Sequence, residues 1–218
     1  MDRRAFTLSL GALAAVGGGA YLMTQKDGAL PGITPAMAAD GDVTPAADIV
    51  MGDPDAPVTV IEYASYTCPH CANFHVDSGA RLKAEYVDTG KVKFIHREVY
   101  FDRYGLWAGM IARCGGDIRY YGMNDLIYRG QRDWIGSGDP DEVLENLKAL
   151  GRTAGMSNDQ MEACLNDRAM AESMVAAYQQ NAAADEINAT PTLVIDGEKH
   201  SNMSYDDLKA IIDAKLGM

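Results

Sequence analysis

The spacing of apolar positions along the chain changes from strand-like to helical and back. In the apolar run Val58–Ala64, residues Thr59 to Ala64 form a compact β-branched stretch broken by one acid, which predicts a buried strand. A helix is predicted from about Pro69 to Tyr86. After a turn at Thr89-Gly90, residues 91–100 alternate in part and predict a second strand. From about Tyr104 to Ile187 the period is helical. In that block, Asp139-Pro140 reads as an N-cap followed by Pro at the first helical position. Ser157 with Gln160 reads as a capping box, and a longer helix is predicted from Arg168 to Ile187. Strand character returns at Thr192–Ile195. Asp196-Gly197 signals a hairpin leading to a short strand near Glu198–His200. Ser204 with Asp207 caps a last helix, Tyr205–Leu216. The order is β-α-β, a helical block, then β-β-α, without internal repeats.

The amino-terminal segment has a different character. Arg3 and Arg4 precede a moderately apolar stretch reaching about Ala20, and Ala36-Met37-Ala38 offers a small-x-small cleavage site. Residues 1–38 are therefore expected to be an export signal directing the chain to the periplasm, and residues 39–57 a linker. Arg-Arg-x-Phe-x-Leu at residues 3–8 resembles a twin-arginine signal, although paired arginines alone do not separate that route from the general secretory one. The alternative is an uncleaved membrane anchor. The run is rich in Gly and short for a span of about 20 apolar residues.

Composition narrows the function classes. The chain has 218 residues, enough for one domain carrying a large insertion, and a net charge of −12 with no basic stripe. Nucleic acid is thus not an expected partner. No nucleotide-binding loop is present, and no cofactor is expected. There are four cysteines, Cys68, Cys71, Cys114 and Cys164. An even count in an exported chain suggests two pairs.

Cys68-Pro69-His70-Cys71 carries the strongest chemical signal. At a helix N-terminus, unpaired N–H groups and the helix dipole favour a thiolate on the first sulfur. Cys68 is the expected nucleophile. Cys71, nearly one turn deeper, is the expected resolving cysteine that attacks Cys68 in a mixed disulfide. Pro69 starts the helix without costing a needed donor. An imidazole at His70 would stabilise the thiolate and make the disulfide more oxidising; the plainer reading is a cap on an exposed turn. A structural zinc site would need a second close-spaced ligand pair, and no metal is expected. Glu62 is expected to be buried in its strand, the alternative being its solvent face. Cys114 and Cys164, 50 residues apart, suit a structural disulfide, with a second electron-relaying pair as the alternative. His75, His96 and His200 read as surface or packing residues.

The element order is that of an α/β thioredoxin fold with a helical insertion at about 104–187. With Val60-Ile61-Glu62-Tyr63 running into the Cys-Pro-His-Cys motif, and Ala189-Thr190-Pro191-Thr192-Leu193-Val194 far downstream, the chain resembles the DsbA family of bacterial thiol-disulfide oxidoreductases. The likeness spans about Asp53 to Gly217. It implies that Glu62 assists proton movement near the buried cysteine. It also implies a cis Thr190-Pro191 bond against the active site, with the Thr190 backbone pairing to an extended substrate. The implied activity is a dithiol oxidase that donates the Cys68–Cys71 disulfide to reduced exported proteins and is reoxidised by a DsbB-like membrane protein. A monomer is favoured. The alternatives are an isomerase or reductase kept reduced by a membrane donor, or a periplasmic metal-binding or chaperone module. Isomerases of that kind usually add a dimerisation domain, for which residues 39–57 are too few.

Overall fold

The computed structural model describes residues 43–218, so the expected export signal lies outside the described residues. A five-stranded sheet forms its centre, in the order β1-β3-β2-β4-β5. These strands are β1 (Val50–Met51), β2 (Val58–Ala64), β3 (Val92–Glu98), β4 (Thr192–Ile195) and β5 (Glu198–Ser201). β2 and β3 run parallel, and the other pairs are antiparallel. A parallel pair needs a crossover, which the helical segment after the Cys-Pro-His-Cys motif supplies.

That crossover is not one uniform helix. α1 (Pro69–Phe74) passes into a π turn, His75–Gly79, then α2 (Ala80–Leu82) and a second π turn, Lys83–Val87. The helical block comprises α3 (Arg103–Cys114), α4 (Asp117–Arg129), α5 (Gln131–Ile135), α6 (Pro140–Thr153), α7 (Asn158–Leu165) and α8 (Arg168–Ala184). α9 (Tyr205–Leu216) ends the fold. Among the described residues no helix is long and apolar enough to cross a membrane.

The caps follow the side chains that signal them. Asp139 accepts from the N–H groups of Asp141 and Glu142, and Ser204 from that of Asp207. Ser157 accepts from the Gln160 N–H, but the Gln160 amide reaches the Cys114 carbonyl, 3.1 Å away, instead of closing a capping box. It thereby ties α7 to α3. At the hairpin, Asp196 and Gly197 both have positive φ, as a tight turn between twisted strands requires.

One element was not expected. β1 lies in the stretch read as linker and pairs with Phe94 and Ile95 of β3. Two residues are too short to show a period. α8 also stops at Ala184 rather than Ile187, because Glu186 takes a left-handed conformation.

The sheet faces separate two cores. Val58, Val60, Val92 and Phe94 pack with Phe74, Leu82 and α9. Tyr63, Val99 and Val194 face Tyr178 of α8. The insertion has its own core, which reaches Cys68 and Cys71 through Tyr66, Tyr128 and Ala72. Packing is close at Gly151 of α6, where an added Cβ would overlap the buried Met161 sulfur. Gly151→Ala should destabilise the fold by about 1–3 kcal/mol through overpacking, which thermal unfolding would measure.

Candidate active site

The site forms where β2 hands over to α1. Cys68 is the N-cap of α1, with extended backbone, and its sulfur accepts from the Cys71 N–H at 3.4 Å. The approach to this cap is held from two sides. The Gln131 amide donates to the carbonyls of Tyr66 and Cys68 at 2.8 and 2.9 Å. The Thr67 hydroxyl donates to Asp102, whose other carboxylate oxygen caps α3. Gln131 and Asp102 fix the loop but sit far away in sequence, and the motif gave no hint of either.

The two sulfurs have opposed acidities. Cys68 is held down to about 5. The main cause is a hydrogen bond from the Cys71 thiol, helped by the Thr190 side chain and the N–H groups of Cys71 and His70, against a contrary push from burial. Cys71 is fully buried, and its thiol is pushed far up. Its own bond to Cys68, burial and the charge of Glu62 all favour its protonated form. His70 therefore supports the thiolate through its main chain, while its side chain is exposed at the surface.

Glu62 lies on the buried face of β2, 1% exposed. The parallel register sets Glu62 opposite His96, so both project to the face covered by α1. His96 Nδ1 lies 3.3 Å from Glu62 Oε2, and its other ring nitrogen lies 3.4 Å from the Tyr128 hydroxyl. His96 is thus a packing residue, but one built into the acid's surroundings.

Thr190-Pro191 is cis, and the Thr190 carbonyl lies 3.6 Å from the Cys68 sulfur. The loop thereby closes over the Cys68 sulfur, with Pro191 buried and Ala189 exposed. Cys114 and Cys164 are bonded to each other, joining α3 to α7. Among the described residues no cluster of three or more His, Cys, Asp or Glu is placed to hold a metal.

A cap-position cysteine sulfur, a buried partner thiol and a cis-proline loop on this sheet define a thioredoxin-fold dithiol site. A family model described as Thioredoxin matches residues 44–214. The chain belongs to the thioredoxin family, in its DsbA-like group. A Rickettsia bellii protein named for protein-disulfide oxidoreductase activity is 33% identical over 170 residues, 78% of this chain and 64% of that protein. The chain thus spans a little under two thirds of that relative. Disulfide bond formation protein D of Bacillus subtilis is 24% identical, covering 77% of this chain and 76% of its own. Among solved structures, Wolbachia pipientis alpha-DsbA1 matches with a TM-score of 0.72 and 27% identity, over 80% of this chain and 94% of that one.

Proposed function

We propose that the protein is an exported dithiol oxidase that passes its Cys68–Cys71 disulfide to reduced proteins outside the cytoplasm. The observation that carries this reading is the placement of the two sulfurs: Cys68 caps α1 and accepts from the Cys71 N–H beside the cis Thr190-Pro191 loop, while Cys71 is fully buried behind it. In the first step a substrate thiolate attacks Cys68, forming a mixed disulfide and expelling Cys71, which takes up a proton. The second substrate thiolate then attacks the substrate sulfur of that bond and expels Cys68 as a thiolate. Two electrons pass to the protein, and the substrate leaves with a disulfide. Cys68 leaves readily because its thiolate is stable, and that stability favours the reduced protein, the property of an oxidant.

Glu62 supplies the proton that Cys71 needs as it leaves, and takes it back when Cys71 becomes the attacker. The exposed Ala189 and the Thr190 backbone are suited to pair with an extended substrate segment. A DsbB-like membrane protein restores the disulfide. The names borne by the Rickettsia and Bacillus relatives support the same chemistry.

Oxidised protein mixed with a reduced, unfolded model protein should form disulfides in a one-to-one burst. The same protein, equilibrated in glutathione buffers, should stay reduced under conditions that oxidise ordinary dithiols. A protein that equilibrates as a strong reductant would overturn the oxidase reading. Glu62→Gln should keep the burst stoichiometry but slow it by on the order of a hundredfold, the usual share of one general acid.

A further inference from the structure

Residues 66–68 lead from β2 into the cap of α1, and the helical insertion holds each of them. The Tyr66 hydroxyl donates to the buried Asn124 side chain of α4 at 2.6 Å. The Tyr66 carbonyl accepts from the Gln131 amide at 2.8 Å, and the Cys68 carbonyl accepts from the same nitrogen at 2.9 Å. Between them the Thr67 hydroxyl donates to Asp102, the N-cap of α3.

Gln131 is the centre of this grip. It opens α5 directly after Gly130, where α4 ends, and it is 5% exposed. α5 is itself seated by the buried Trp134, whose indole N–H donates to the Ile127 carbonyl at 2.9 Å. The Asn146 amide of α6 adds a second hold through the Asp133 carbonyl. A buried amide is costly unless its hydrogens are used, and an apolar side chain of similar length would fill the space without that demand. Here one nitrogen meets two backbone carbonyls, one for each of its hydrogens. The Cys68 carbonyl also accepts from the N–H groups of Cys71 and Ala72, at 3.1 Å each, where α1 begins. Fixing that carbonyl fixes the peptide plane from which the helix starts, and with it the direction in which the Cys68 side chain leaves the backbone.

We propose that Gln131 is a positioning residue for disulfide exchange: it clamps the Tyr66 and Cys68 carbonyls so that the Cys68 sulfur stays on the Cys71 N–H, and through it the insertion governs how firmly the Cys68 thiolate is held. The inference rests on Cys68 being the exchanging sulfur and adds the residue that aims it. Hydrogen bonds weaken steeply as their angle falls, so a cap free to rotate loses the Cys71 N–H. The thiolate then loses part of its stabilisation and binds its proton more tightly. The reduced protein loses the same advantage over the disulfide.

Gln131→Met keeps the length of the side chain and removes both donors. In the reduced variant the midpoint of thiolate absorbance should rise by about one pH unit. In glutathione buffers its reduced form should be disfavoured by about tenfold, because the same stabilisation sets both quantities. Thermal unfolding of the oxidised variant, which has no thiolate, reports any general weakening of the fold. An amide that only packs would lower that melting temperature and leave the midpoint and the glutathione equilibrium where they were, which would overturn the proposal. The unaltered protein gives a measurement that does not depend on the variant folding. By nuclear magnetic resonance, the Gln131 side-chain amide hydrogens should exchange with solvent about a hundredfold more slowly than those of the exposed Gln180. Exchange as fast as at Gln180 would also overturn the clamp. An unaltered protein whose Cys68 titrates like a free thiol would instead overturn the reading of Cys68 on which the inference rests.

Discussion

The reduced protein should show a rise in thiolate absorbance centred near about pH 5, and Cys68→Ser should abolish both that rise and all exchange activity. The midpoint follows from Cys68 being held down to about 5 by the Cys71 thiol, the Thr190 side chain and the N–H groups of the first helical turn. Alkylation below pH 7 should label Cys68 alone, because Cys71 is buried and pushed far up. If Cys71 is labelled first, or the rise falls where a free thiol titrates, the roles of the two sulfurs must be exchanged or abandoned.

The same shift makes stability depend on redox state and pH. In the unfolded chain Cys68 titrates near about 8.5. Its folded value is depressed, so its contribution is absent below about pH 5, grows as pH rises, and is complete above the unfolded value. The oxidised protein has no such group. The melting temperature of the reduced form, relative to the oxidised, should therefore climb steadily from pH 5 to pH 8. A gap that stays flat across this range would mean that the folded protein does not hold the thiolate.

The parts of this site that could be read in the sequence are those that local rules govern. Cys68 and Pro69 are recognisable because capping and the first helical turn depend on neighbours alone. The start of the Tyr205–Leu216 helix is legible for the same reason, from Ser204 with Asp207, while its end falls at Gly217, which takes the left-handed cap conformation. His96 gives no sign in the sequence beyond packing, because its place depends on strand register. Only when Glu62 is paired with His96 across a parallel ladder does the acid acquire a partner. The alternation Val92, Phe94, His96 against Val58, Val60, Glu62 was the available signal, had the two strands been laid side by side. Gln131 has no such signal, since its bonds to Tyr66 and Cys68 depend on how the insertion docks. The π turns also escape periodicity, because each shifts the helical register by a fraction of a turn.

Removing the second cysteine pair should cost stability and spare chemistry. The Cys114–Cys164 bond closes a loop of 50 residues between α3 and α7. In the chain-entropy model a loop of that length contributes about 4 kcal/mol by restricting the unfolded chain. For a domain of this size, that corresponds to a fall in melting temperature of roughly 10 °C in Cys114→Ala/Cys164→Ala. Nothing links this bond to the electron path. It packs at the edge of the insertion core, beside the Gln160 bridge from α7 to α3, while Cys68 takes its acidity from Cys71, Thr190 and the first turn of α1. The double variant, assayed well below its new melting temperature, should therefore oxidise a reduced model protein at the unaltered rate. Its thiolate midpoint should also be unmoved. A variant of normal stability but lost activity would put the second pair in the electron path. Coupled loss of both would mean that α3 and α7 hold the Asp102 and Gln131 anchors of the active-site loop in place, and that the insertion supports catalysis by position.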